Sequence, residues 1–392
     1  MSVETAIVLL FWSAAALIFY VYAGYPAALW VWARVRPRDI AAADAVSPAG
    51  VTIVIAARNE GRRLRARLDN LLHLDHPAAL RQIVVVSDGS SDETAAVVGG
   101  FGDLVDFVPV PAGGKARALN AGVERARFDI LVFTDARQLF APDAITELTR
   151  PLQDPAVGGV TGELLLDCES SWRRKAERDR RENARAANRE RREASPSAIA
   201  AGVGAYWRYE KALRHLESIV GSTLGATGAI YAMRRSLWVP LPPDTILDDV
   251  LTPMRAVLKG FRIVFNPRAR AFDLTAPDAN TEAERKTRTL TGNYQILWLE
   301  PRLLLPWCNP VWLQYISHKV GRLIVPGALL TLLVSSLILS HRMFYGAALF
   351  GQCAFYLLAG YGAWLELRAT TSRRQSVPPQ AVAAVTNEVV NA

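Results

Sequence analysis

From Ala6 to Ala33 the chain carries no charged residue, and the same holds from Leu323 to Ser340 and from Phe344 to Leu365. A helix crosses the hydrocarbon of a bilayer with about 20 apolar residues, so each run is long enough to span. The last two, separated only by His341-Arg342-Met343, read as a tight helical hairpin. The first run is not a cleavable signal: Glu4 precedes it with no Lys or Arg, it is too long, and no convincing cleavage site follows. Arg34, Arg36 and Arg38 flank its C-terminal end, and Arg368, Arg373 and Arg374 follow the hairpin. The positive-inside rule therefore places the intervening region and the tail in the cytoplasm, with membrane lipids as partners of an inner-membrane or plasma-membrane protein.

Between these segments the chain has a different rhythm. Val51 to Ala57 is an apolar, β-branched run ending in Arg58-Asn59-Glu60; Gln82 to Val86 ends in Ser87-Asp88-Gly89-Ser90-Ser91-Asp92; Asp106 to Val110 is a third such run and Asp129 to Thr134 a fourth, closing on Asp135. Helical patterns lie between them, at Gly61 to Leu74, Glu93 to Val98 and Lys115 to Arg125. Alternation of this kind predicts βαβ units on a mostly parallel, Rossmann-like sheet, with the polar strand ends gathered along one edge. Further on, Gly202 to Val220 reads as an amphipathic helix, Gly225 to Met233 as a glycine-punctuated turn into a strand, Phe261 to Asn266 as a strand and Glu282 to Gly292 as a charged helix.

The expected organisation is thus a membrane helix with its basic flank over 1–38, a linker over 39–50, an α/β domain over 51–300, an interfacial segment over 301–322 marked by Trp307, Trp312 and Tyr315, the hairpin over 323–367, and a tail over 368–392 that is disordered after Ser372. Residues 167–200 interrupt the domain with Arg and Glu spaced three and four apart, as in Glu177 and Arg181 or Glu182 and Arg185, which predicts a solvated helical insertion. A surface for anionic headgroups or an acidic partner is the sharper alternative there. The net charge of +8 finds no clustered basic motif with interleaved aromatics outside that insertion, so no nucleic-acid partner is expected. Cys168, Cys308 and Cys353 lack metal-type spacing and suggest neither a disulfide framework nor a zinc site.

Chemistry concentrates at the strand ends. Glu60, Asp88, Asp92, Asp135 and the adjacent pair Asp248-Asp249 are carboxylates of one predicted edge, a grouping that suits either a metal-held phosphate or general-base work. An Asp at a helix start also serves simply as a cap, which explains one of the pair more easily than both. Lys115, Arg137 and Arg288 can neutralise a diphosphate leaving group.

The order of these pieces resembles the family 2 glycosyltransferases with a GT-A fold, specifically membrane-anchored bacterial members, over most of Val51 to Leu299. The resemblance rests on Ala56-Ala57-Arg58-Asn59-Glu60, Asp88-Gly-Ser-Ser-Asp92, Gly114-Lys115-Ala-Arg-Ala-Leu-Asn120, Thr134-Asp135-Ala136, Gly225-Ala-Thr-Gly228 and the acidic pair ending in Asp249. It implies that Ala57, Glu60, Asp88 and Lys115 surround a nucleotide, that Asp135 meets the diphosphate through a divalent cation, Mg²⁺ or Mn²⁺, and that Asp249, beside Asp248, is the base that deprotonates the acceptor hydroxyl. Gly225, Thr227 and Gly228 then fall on the acceptor side.

The implied reaction is an inverting transfer from a nucleotide sugar, a UDP-sugar for preference, to a lipid-linked or membrane-proximal glycan acceptor in envelope or exopolysaccharide synthesis, with polysaccharide-assembly proteins as possible partners. Two departures stand out. Arg137 takes the place of the second metal carboxylate, leaving open that the domain is a degenerate nucleotide-sugar-binding or export-accessory protein. Arg285-Lys286-Thr287-Arg288-Thr289 keeps only the arginine of the Gln-any-any-Arg-Trp motif of processive synthases, which favours addition of a single sugar, or polymer work only with a partner.

Overall fold

The computed structural model describes residues 2–41, 48–166, 198–273 and 279–375. The acidic and basic pairs of the insertion, Cys168 and most of the tail lie outside the described residues. The chain forms two compact units, Ala23–Leu323 and, separately, Met1–Tyr22 with the chain from Ile324 onward.

The larger unit is built on an eight-stranded sheet of β1 (Val51–Ala57), β2 (Arg81–Asp88), β3 (Asp106–Val110), β4 (Ile130–Asp135), β5 (Leu139–Phe140), β6 (Val157–Leu166), β7 (Tyr231–Arg234) and β8 (Arg262–Asp273), in the order β3-β2-β1-β4-β7-β6-β8-β5. The first four in that order run parallel; β7 is antiparallel to both its neighbours, and β6 and β8 are parallel again. β1 is central because nearly every residue of it is buried on one face or the other, which only a strand covered by helices on both sides tolerates. Ile53 and Ile55 pack with Leu64, Leu68 and Leu71 of the helix Gly61–Leu72, while Val54, pointing the opposite way, packs with Leu119 of the helix Lys115–Glu124.

Register then decides where the chemistry lies. Ala56 stands opposite both Val86 and Asp135, Ala57 opposite Ser87, and Asp88 opposite Val110. The C-terminal ends of β1, β2 and β4 therefore finish on one level, the position where open α/β sheets take their ligands.

Three elements escape the sequence pattern: β5, which has only two residues, the helix Ala144–Thr149, and β6. β6 opens Val157-Gly158-Gly159-Val160-Thr161-Gly162, and glycine weakens any strand reading. At Gly162 the glycine is required by close approach, since a Cβ there would stand 2.4 Å from the carbonyl oxygen of Ala269 on β8.

Among the described residues, three helical stretches are long and apolar enough to cross a membrane: Val3–Val35, Trp312–Ile338 and Met343–Gly362. The second begins at Trp312, ahead of Leu323, and passes through a π-helical turn at Tyr315–Val320, so part of the aromatic segment is continuous with the span. The helix that starts at Met343 continues to Gln375, past Ser372. In the larger unit Glu217 of the helix Ala198–Val220 accepts from the Tyr25 hydroxyl at 3.0 Å and lies 2.6 Å from Nδ1 of His318, tying both spans to the sheet domain. In the smaller unit Phe11 meets Tyr345 edge-on at 4.8 Å, and Glu4 pairs with Arg342.

Candidate active site

Lys115 is the first residue of its helix, where the macrodipole disfavours a cation, and Gly114 before it adopts φ +86°. The position makes sense through its partners: Nζ lies 3.2 Å from Oδ1 of Asp135 at the end of β4 and 3.3 Å from Oδ1 of Asp248. Burial works against the ammonium charge, but Asp135, Asp248 and Asp249 together override it and raise the pKa. Asp248 and Asp249 open the helix Asp248–Leu258, the end at which negative charge is favoured. Asp248 is buried, and its Oδ2 has no hydrogen-bond partner among the described residues.

Asp249 accepts from the Gly228 N–H at 3.0 Å through Oδ2, and its backbone carbonyl accepts from the Ala226 N–H at 2.7 Å. Burial, then repulsion from Asp248, pushes its pKa up to about 6; Lys115 and the Gly228 N–H pull the other way, and Asp135 adds to the rise. A carboxylate so tuned is suited to take a proton near neutrality. The glycine is specific here, because a Cβ on Gly228 would lie 3.0 Å from that same Oδ2. Gly228→Ala is expected to push the carboxylate aside by a few tenths of an ångström and to lower kcat by about three- to tenfold while donor KM holds, since even small misplacement of a reacting group costs rate; steady-state kinetics on the purified variant check this.

The other expected site residues are placed as follows. Ala57 closes β1 and is buried. Glu60 pairs with Arg63 at 3.1 Å. Asp88 accepts from the N–H groups of Gly113 at 2.6 Å and Gly114 at 3.1 Å, so it fixes the turn that delivers Lys115. Thr227 receives a hydrogen bond from the guanidinium of Arg214, and its own N–H donates to Thr161 at 2.8 Å. Arg288 reaches the carbonyl of Ile246 at 3.3 Å, next to the acidic pair. Arg137 directs Nε to 3.3 Å from Oδ2 of Asp273, an oxygen that also accepts from Gln138 at 3.2 Å. The cation in the motif's third position is thus anchored by a buried carboxylate from β8.

One residue with a clear place in the site was not singled out from the sequence. Arg67 is fully buried under the β4 end, donating to Thr134 Oγ1 and Asn70 Oδ1 at 2.8 Å each, with its guanidinium 4.1 Å above the Phe140 ring. Burial lowers its pKa to about 9, against the attraction of Asp135. Its spacing with Leu64, Leu68 and Leu71 was the available signal, since it falls within the apolar stripe of that helix.

Among the described residues no three His, Cys, Asp or Glu side chains group as a metal site. Asp135 alone, with Asp248 facing it across the Lys115 ammonium, fits a hydrated hard cation held mainly by a bound diphosphate, because Mg²⁺ characteristically takes one or two carboxylates plus substrate oxygens and waters.

The family described as Glycosyltransferase like family 2 matches residues 48–292, more than half of the chain, and the chain belongs to it. It is 24% identical over 255 residues to a poly-beta-1,6-N-acetyl-D-glucosamine synthase of Staphylococcus aureus, covering 63% of this chain and 55% of that protein. The corresponding synthase of Staphylococcus epidermidis is 23% identical over the same length. The chain spans about half the length of these curated relatives. Among solved structures, the mannosyltransferase PcManGT of Pyrobaculum calidifontis, determined with GDP-Man and Mn²⁺, superposes with a TM-score of 0.65 at 23% identity over 92% of this chain and 96% of that one. At that identity the likeness establishes the shared GT-A fold.

Proposed function

We propose that the chain is an inverting glycosyltransferase that moves a sugar from a nucleotide sugar, a UDP-sugar for preference, to a lipid-linked or membrane-proximal glycan acceptor. The observation that carries this reading is the Lys115 ammonium clasped between Asp135 and Asp248 beside Asp249, a base raised to about 6. Asp249 takes the proton from the acceptor hydroxyl; the freed oxygen attacks the anomeric carbon on the face opposite the diphosphate, which leaves without a covalent enzyme intermediate. Lys115 neutralises negative charge on the departing diphosphate, and Arg288, held at the Ile246 carbonyl, offers a further cation. Asp135 would hold the divalent cation, which supplies further charge stabilisation to the same group when bound.

The membrane spans that join the domain through Tyr25 and His318 favour an acceptor presented at the bilayer, and the basic flanks favour a cytoplasm-facing site. Three spans and the lone Arg288 of the processive motif favour addition of one sugar per acceptor unless a partner completes a channel.

The test is a donor panel. Full-length protein in detergent, offered nucleotide sugars with Mg²⁺, with Mn²⁺ and with a chelator, is expected to release nucleoside diphosphate from at least one donor, faster with the cation. Binding of nucleotide sugars without release from any of them overturns the proposal.

A further inference from the structure

A cavity lies away from the acidic cluster, at the opposite end of the helix that begins with Asp248. It encloses about 300 Å³, within the range of ligand sites, and its wall includes Trp32, Arg36, Arg38, Phe261, Arg262 and Gln314. Among the described residues, three guanidinium groups and no carboxylate line it.

Among the described residues none of these guanidinium groups is closed by a direct ion pair. Arg262 is buried, and its donors go to the backbone carbonyls of Gly221 at 2.7 Å, Arg38 at 2.8 Å, Ser218 at 3.0 Å and Asp39 at 3.1 Å. It therefore has no carboxylate on it, and it holds the Arg38 segment beside it. Burial, then repulsion from Arg38, lowers its pKa, and the more distant carboxylates of Asp154 and Asp39 offset this only in part. The side chains of Arg36 and Arg38 are exposed and make no hydrogen bond or ion pair among the described residues.

The cavity also sits at a defined depth. Trp32 belongs to the last turn of the first candidate span, and Gln314 to the first turn of the second. Both span ends border the same space, which places it at the level of the lipid headgroups, with a Trp in the position aromatic residues favour there.

We propose that this cavity binds the phosphate of an anionic membrane phospholipid, with Arg36 and Arg38 as its ligands, Arg262 as the fixed charge behind them, and Trp32 and Phe261 against the glycerol and upper acyl region. The assignment is independent of the sugar transferred, and it uses no residue of the acidic cluster.

Native mass spectrometry of the full chain, released from detergent with phosphatidylglycerol and phosphatidylcholine offered together, tests it. Phosphatidylglycerol is expected to be retained over phosphatidylcholine by about thirtyfold, the scale set by two basic residues at a charged surface. Arg36→Gln with Arg38→Gln is expected to abolish that preference, and Arg36→Lys with Arg38→Lys to keep most of it. Arg268→Gln with Arg270→Gln, an exposed pair on β8, should leave it intact. Equal retention of both lipids, or an unchanged preference in the double glutamine variant, overturns the proposal. Displacement of the lipid by millimolar inorganic phosphate also overturns it, assigning the cavity to a soluble anion instead.

Discussion

Asp249→Asn is expected to lower sugar transfer by about 10²–10⁴-fold, the usual contribution of a positioned general base, while donor affinity stays close to that of the parent. The separation of the two effects follows from geometry. Asn keeps an acceptor for the Gly228 N–H, so the loop from Gly225 to Gly228 is undisturbed, and Lys115 remains held by Asp135 and Asp248. Stability should move in the opposite direction from activity. Because the pKa of Asp249 is raised from its ordinary value of 3.8 to about 6, folding favours its neutral form, and stability is lost as pH rises from 3.8 through 6, with the full cost of its charge present above that. The uncharged amide removes that cost, so the thermal midpoint at neutral pH is expected to rise. If Asp249 is the base it works ionised, so in the parent transfer is expected to be full above about pH 6 and to fall by about tenfold per unit as pH drops below it. A variant that retains transfer, or one whose activity loss comes with a lower midpoint, would falsify the assignment of Asp249 as the base.

How far this site was visible in the sequence depends on the distance over which each feature is encoded. β1 and β3 are bounded as the pattern implies, at Val51–Ala57 and Asp106–Val110, because β-branched runs between polar clusters specify a buried strand locally. The parallel sheet follows from their alternation with helices. β6 was hidden because Gly162 answers to Ala269, more than a hundred residues away, and no local pattern records that approach. Arg137 is the clearest case. In sequence it is a missing carboxylate; in the fold it is paired with Asp273, which lies beyond Asn266-Pro267-Arg268, a stretch whose proline and exposed side chains disguise the continuation of β8. Asp88 shows the converse, a residue whose turn motif is plain in sequence but whose hydrogen bonds to Gly113 and Gly114 appear only when β2 and the Lys115 turn meet. Local periodicity carries the scaffold, and tertiary pairing carries the charge balance.

Lys115→Met is expected to reduce transfer by about 10²–10³-fold, the loss typical of removing one preorganised electrostatic group. The more specific consequence is in the pH profile. Lys115 is the cation that draws the Asp249 pKa down, so without it only the Gly228 N–H opposes Asp248 and Asp135, and the acid limb of the rate profile is expected to shift to higher pH. Asp135→Asn removes one of the repelling carboxylates and should shift the same limb to lower pH. Lys115→Arg preserves the charge and should leave the limb near its parental position. Damage to the fold alone cannot produce shifts of opposite sign from two substitutions that lie 3.2 Å apart. Stability separates from catalysis in a second way. Losing the ammonium leaves Asp248 a buried carboxylate without its ion pair, a destabilising state, and the double variant Lys115→Met with Asp248→Asn should recover the thermal midpoint without recovering transfer. If the acid limb of Lys115→Met stays where the parent's lies, Lys115 does not act on Asp249, and the clasp between Asp135 and Asp248 serves the fold rather than the reaction.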